Sequence, residues 1–283
     1  MTPLTHLRAG PAHLQLAPEL GGAIAALTAD GRPVLHPWSN DPARFNPASM
    51  VLVPFSNRIS GGGFTWHGRR HDVPCDADRP LPIHGDGYRR AWEIVVDGAA
   101  ARMTLAQGAI GPWRYTAAQD ITLAPDALSV TMTLTNTGPH PLPFGGGFHP
   151  GLPRSADTRL QFDAATVWLE DNSHLPTQEL PLASAPEWRF DTPRALPDGL
   201  INNGYTGWTG AARITQGPDA VSCVIRGIGA PFAQVYSTGA QADFFCFEPV
   251  SHPVDAVNLP GQPGLADLPP GVNMQIGMHI AWG

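Results

Sequence analysis

The sequence predicts an all-β protein, a large antiparallel β-sandwich, and three observations lead there. Apolar residues recur mostly at every second position, the period of a half-buried strand. The chain carries 31 glycines and 31 prolines in 283 residues, which interrupt it too often for long helices. No compositional break and no fixed-period repeat divides it, so one domain is expected over residues 1–283.

Alternation is visible in Ala91–Val96, Ala101–Ala106 and Tyr115–Leu123. It is clearest in Leu128–Asn136, where Leu128, Val130, Met132 and Leu134 alternate with Ser129, Thr131, Thr133 and Thr135. One face is apolar and the other hydroxylated, as in a strand with one face on a core. Ala124-Pro-Asp-Ala127 reads as the turn before it. Further strands are expected at Arg159–Phe162, Val167–Leu169, Ala211–Thr215, Val221–Arg226, Phe232–Tyr236, Asp243–Phe247 and Asn273–Trp282. Loops are expected at Asn40–Met50, Arg69–Gly87, Pro176–Asn203 and Leu259–Gly271.

Composition excludes several functions. A net charge of −7 with 14% charged residues leaves no basic face for nucleic acid. All 17 basic residues are arginine, so Schiff-base, P-loop and pyridoxal-phosphate chemistry lack their lysine. Cys75, Cys223 and Cys246 are odd in number and widely spaced, which fits buried thiols rather than a disulfide framework or a zinc knuckle. No basic-then-apolar leader opens the chain, and no apolar run is long enough for a membrane span. A cytoplasmic protein without membrane association is expected.

Four segments interrupt the alternation with polar groups. In Val53–Ile59, Asn57 and Arg58 pair an amide with a planar fork of donors, a combination suited to a polyol; a surface turn with one salt bridge is the alternative. In Leu81–Gly85, His84 sits between an apolar residue and a glycine and can equally be structural. In Asn136–Pro150, a second strand begins near Leu142, and Gly145-Gly-Gly147 would let a backbone or a ligand come close to the strand bearing His149. In Asp243–Pro253, Glu248 ends the apolar run Phe244–Phe247; there a carboxyl is partly desolvated and its pKa rises, unless it is a mere edge charge. A glutamate, two histidines and an Asn-Arg pair together supply a base, an acid and hydroxyl-binding groups. No GxSxG elbow, phosphate loop or dinucleotide fingerprint accompanies them. His84, His149, Glu248 and His252 match no standard metal spacing, so no metal and no cofactor are expected.

These segments, in this order, resemble the aldose 1-epimerase (galactose mutarotase) family. The resemblance rests on Pro54-Phe-Ser-Asn-Arg-Ile59, Ile83-His-Gly85, Asn136-Thr-Gly138 with Pro143–Pro150, and Phe245-Cys-Phe-Glu-Pro249. Gly111–Tyr115, Asn202–Trp208, Leu20–Leu27 and Leu268–Gly271 extend it over nearly the whole chain. It implies a supersandwich whose concave face holds a monosaccharide, with Glu248 as base and His149 as acid. Arg58 and His84 would bind sugar hydroxyls, with Asn57 beside Arg58 and Asn202 as a further substrate contact. The family usually places Asp where Asn202 stands, so a shifted hydroxyl preference is implied. The implied reaction exchanges the anomers of a free aldose and needs His149 protonated while Glu248 is ionised. Trp38, Trp66, Trp168 or Trp208 would stack on the sugar. Alternatives are a hexose-6-phosphate 1-epimerase, with Arg69, Arg70, Arg89 and Arg90 near the phosphate, or a sugar-binding protein without catalysis. A monomer or homodimer is expected.

Overall fold

A computed structural model describes residues 3–39, 46–76 and 79–283. Two large antiparallel sheets dominate it, with two small two-stranded ones. The larger sheet runs in spatial order through Thr5–Ala9, Ala12–Ala17, Ala23–Ala29, Ser49–Leu52, Gly147–Pro153, Phe244–Val250, Phe232–Ser237, Ile201–Thr206, Thr166–Glu170 and Pro176–Pro181; Arg32–Leu35 pairs with Ala23–Ala29 off this path. The second sheet is Arg159–Phe162, Ala211–Thr215, Cys223–Ile228, Asn273–Ala281, Ala127–Asn136, Trp113–Leu123, Ala100–Ile110 and Glu93–Asp97. Helical structure among the described residues is limited to five single-turn 3₁₀ segments.

The alternation in the sequence is the alternation in burial. In Ala127–Asn136 the residues Leu128, Val130, Met132 and Leu134 are buried while the hydroxylated face is half-exposed. Strands Trp113–Leu123 and Asn273–Ala281 flank it in long registers. The core lies between the sheets: Phe162 of the second sheet packs at 5.1 Å from Phe247 and edge-on to Tyr205 at 4.8 Å, both from the first.

Four expected loops hide strands. Arg69–Asp72 pairs with Gly63–Trp66, Ala266–Leu268 pairs with Leu142–Phe144, and Pro176–Pro181 closes one edge of the larger sheet. The strand Ser49–Leu52 begins inside Asn40–Met50, and Ile201–Thr206 begins inside Pro176–Asn203. Residues 40–45 and 77–78 of the expected loops lie outside the described residues. These pieces are short, polar or proline-bearing, and a partner strand rather than their own pattern makes them extended. The strand expected from Leu142 is in fact two, in different sheets, parted at Gly145 and Gly146.

Those glycines answer to backbone, not to ligand. A Cβ on Gly146 would lie 2.4 Å from the Leu52 carbonyl oxygen, and one on Gly147 the same distance from that of Pro249. A Cβ on Gly145 would meet the His252 ring at 2.3 Å. Close approach of Ser49–Leu52 and Phe244–Val250 to the strand bearing His149 therefore requires them.

Candidate active site

Strand alternation sorts the central residues of the larger sheet onto two faces. Phe245 and Phe247 point into the inter-sheet core, which leaves Cys246 and Glu248 on the opposite, concave face. Register then lines up a row across six strands. Gln234 stands opposite Glu248, Gly204 opposite Gln234 and Trp168 opposite Gly204. On the other side of Glu248, Gly147 pairs with Val250 and Gly151 with Cys246, so His149 falls beside Glu248, with Met50 opposite it. A pocket of about 550 Å³ opens over the Met50, His149 and Glu248 end of this row, a size suited to a small polar ligand.

Two loops complete the walls. Segments 54–59 and 83–85 run side by side through the bridges Arg58–Ile83 and Val53–Gly85. The Asn57 N–H donates to His84 Nδ1 at 3.0 Å, and the His84 N–H donates to the Asn57 carbonyl at 3.0 Å. With Nδ1 an acceptor, His84 is the Nε2–H tautomer, and burial beside His149 and Arg58 pushes its pKa well below the usual value. It is a neutral donor. The Asn57 side-chain oxygen accepts from the Arg58 N–H at 3.0 Å and from Arg58 Nη1 at 3.2 Å. Asn57, although it lines the pocket, is occupied in aiming Arg58. Both Asn57 and His84 have left-handed backbone, φ 57° and 61°, which turns each loop toward the pocket.

His149 Nε2 lies 3.3 Å from Glu248 Oε1, and the other carboxyl oxygen, Oε2, is buried without a hydrogen-bond partner among the described residues. Burial drives both toward neutrality: the Glu248 pKa rises to about 8, with Arg58 opposing, and the His149 pKa falls to about 4. The Nε2 atom of His149 is the ring nitrogen that faces Glu248. With the two pKa values displaced in this way, the pair holds one proton near neutral pH, on the carboxyl. The ionic arrangement required by the reaction is thus not the resting one, because water has been removed from both groups.

Asn202 reaches the same pocket from Ile201–Thr206, whereas Asn203 points to the other face and donates to the Trp168 carbonyl at 2.8 Å. Asn202 is backed by a carboxylate that does not itself line the pocket. Its Nδ2 donates to Glu170 Oε2 at 2.6 Å, and its Oδ1 accepts from Gln234 Nε2 at 2.9 Å. Glu170 was not foreseen; the only trace in the sequence is one of six glutamates opening the polar run Glu170-Asp-Asn-Ser-His174 at a strand end. Arg79, Tyr88 and Tyr236 also line the pocket without having been singled out.

Some expectations fail. Trp38, Trp66, Trp168 and Trp208 are absent from the pocket lining; among the described residues the aromatic groups there, besides the histidines, are Tyr88 and Tyr236. Trp208 is in the core, and Trp168 Nε1 donates to Thr206 Oγ1. None of Arg69, Arg70, Arg89 and Arg90 lines the pocket. Arg70 binds Asp72 and the Gly61 carbonyl, Arg89 binds Asp76, and Arg90 binds Asp86. His252 spends Nε2 on the Ser56 N–H and Nδ1 on the Pro253 carbonyl, so it pins the loop bearing Asn57 rather than ligating an ion. Among the described residues, one group could hold a metal: donor atoms of His149, Cys246 and Glu248 lie within 4.8 Å of one another. Burial next to Glu248 pushes the Cys246 thiol well above its usual pKa, which opposes the thiolate that a metal needs. No helix among these residues is long and apolar enough to cross a membrane.

The profile of the family described as aldose 1-epimerase matches residues 9–281. The Escherichia coli K12 protein YphB is 32% identical over 277 residues, 93% of each chain. The crystal structure of an E. coli K12 protein superposes with a TM-score of 0.92 at 31% identity over 99% of both chains. A galactose mutarotase-like protein from Clostridium acetobutylicum has the same fold, with a TM-score of 0.84 at 16% identity, covering 98% of this chain and 94% of that one.

Proposed function

The chain belongs to the aldose 1-epimerase family, and we propose that it interconverts the α and β anomers of a free aldose by general acid–base ring opening and closure. The observation that carries this reading is the buried His149–Glu248 pair, 3.3 Å apart, sharing one proton over a pocket of monosaccharide size. The spare Glu248 oxygen is an acceptor waiting for a hydroxyl. When sugar hydroxyls satisfy it, the carboxylate is stabilised and the proton moves to His149 Nε2.

Glu248 then takes the proton of the anomeric hydroxyl while His149 delivers its own to the ring oxygen. The bond between the anomeric carbon and the ring oxygen breaks, and the anomeric carbon becomes an aldehyde. Rotation about its bond to the neighbouring carbon presents the other face. On closure the chain hydroxyl returns its proton to His149 and Glu248 hands its proton to the former carbonyl oxygen, so nothing is consumed. Arg58, held by Asn57, and the neutral donor His84 orient ring hydroxyls, and Asn202 grips another. These roles need no cofactor. We also propose that the whole chain acts as one domain and works without nucleic acid.

The decisive experiment is polarimetry on freshly dissolved sugars, as a panel of hexoses, pentoses, deoxy sugars and phosphorylated hexoses. Catalysis of free aldoses supports the reading. Catalysis confined to phosphorylated sugars would favour the alternative, with Arg58 and Arg79 as phosphate ligands. Binding without catalysis would leave a carbohydrate-binding protein. Dialysis against EDTA is expected to leave the rate unchanged. Loss restored by a divalent ion would put that ion on His149, Cys246 and Glu248.

A further inference from the structure

Glu170 is a carboxylate beside the pocket that the proposed chemistry does not use. It ends the strand Thr166–Glu170, two residues beyond the pairing of Trp168 with Gly204, which sets it beside Asn202. Its Oε1 accepts from His174 Nδ1 at 2.8 Å, closing the hairpin whose tip lines the pocket. Its Oε2 accepts from Asn202 Nδ2. A carboxylate has no hydrogen to give, so it can meet only the nitrogen of the amide, and Asn202 Oδ1 is left for Gln234. The amide is thereby held from both ends in one orientation. It keeps one N–H and one lone pair unspent, enough to donate to and accept from a single sugar hydroxyl.

We infer that Glu170 is the positioning residue of a second hydroxyl-binding subsite, holding Asn202 so that its amide selects one hydroxyl of the sugar, with the negative charge of that subsite carried by position 170 instead of 202. The inference rests on the anomer-exchange reading for its substrate class, not for its geometry. The titratable groups facing Glu170 are His174 in its own hairpin, Arg58 across the pocket and Tyr236 on the sheet floor. Its carboxyl is raised by burial and pulled back by His174, Arg58 and Asn202.

The arrangement forbids a second charge at 202. Asn202→Asp would bring two carboxyls into hydrogen-bond contact, where ionising both is costly and the second pKa is raised. The expected result is a KM for D-galactose and D-glucose raised at least about 10-fold at pH 8, shrinking toward pH 5 as one carboxyl takes a proton, with kcat within about 3-fold. Glu170→Gln with Asn202→Asp restores one carboxylate and one amide with their positions exchanged. It should bring KM back to within about 3-fold of wild type. Glu170→Gln alone should change the ratio of kcat/KM between these two sugars, which differ at one hydroxyl.

Melting curves give a second, activity-free readout. The Asn202→Asp protein should lose stability relative to wild type as pH rises from 5 to 8, and the double variant should not. A melting difference that ignores pH, or a double variant no better than the single one, overturns the inference. An active wild type whose KM is untouched by Asn202→Asp overturns it as well. A wild type inactive on every sugar, with the pH-dependent melting present, sinks the anomer-exchange reading and leaves the Glu170–Asn202 pairing standing.

Discussion

Glu248→Gln is expected to slow anomer exchange at least about 100-fold while leaving KM nearly unchanged, the loss usual for a general base. The amide matches the shape and neutrality of the protonated carboxyl that rests in the empty pocket, so folding and sugar binding survive. Its stability carries a sign that can be checked. The folded Glu248 pKa of about 8 lies above the ordinary value of 4.5, so folding takes up a proton between these values. Wild type therefore loses stability as pH rises through that window, and the glutamine variant does not. The variant should melt higher than wild type at pH 8, with the gap closing near pH 4. Polarimetry and melting curves on one preparation check both. A folded Glu248→Gln protein with a near-normal rate would remove this residue from the mechanism.

The second large effect is in the pH profile. The His149–Glu248 pair works with a single proton, so kcat/KM is expected to fall on both sides of a plateau. Above about 8 the pair loses that proton and has no acid. Below about 4 it gains a second and has no base. Each limb should steepen to tenfold per pH unit, since one proton is involved. His149→Gln should drop the plateau by about 100-fold or more and move the acid limb from near 4 up toward the Glu248 titration near 8, because no imidazole remains to take the proton of the base. A wild-type profile that already declines between pH 5 and 7 would contradict the single-proton pair.

Much of the architecture is legible because burial writes itself into the chain with a period of two. Leu128 to Leu134 need no neighbour to declare their strand. The N-terminal strands Thr5–Ala9 through Arg32–Leu35 and the strand Ile201–Thr206 were not anticipated. Ala23–Ala29 and Ile201–Thr206 are buried on both faces, so their residues do not alternate. Proline and glycine density had a similar double meaning. It excluded helices correctly, but it made Pro176–Pro181 look like loop, although an edge strand tolerates such residues.

At the site, residue type alone determined which groups carry unusual chemistry: a glutamate behind four apolar residues, a histidine between glycines and prolines, an arginine beside an asparagine. It also determined what the chain lacks, since no lysine exists to form an imine. Only the tertiary structure decided which of these groups meet. Register across the strands brings His149 to Glu248 and sends His252 into the loop beneath. The same register hands Asn202 to Glu170. The apolar run before Glu248 pointed to a raised carboxyl pKa, but the fall at His149 was beyond the sequence, because it depends on how completely the surrounding strands exclude water.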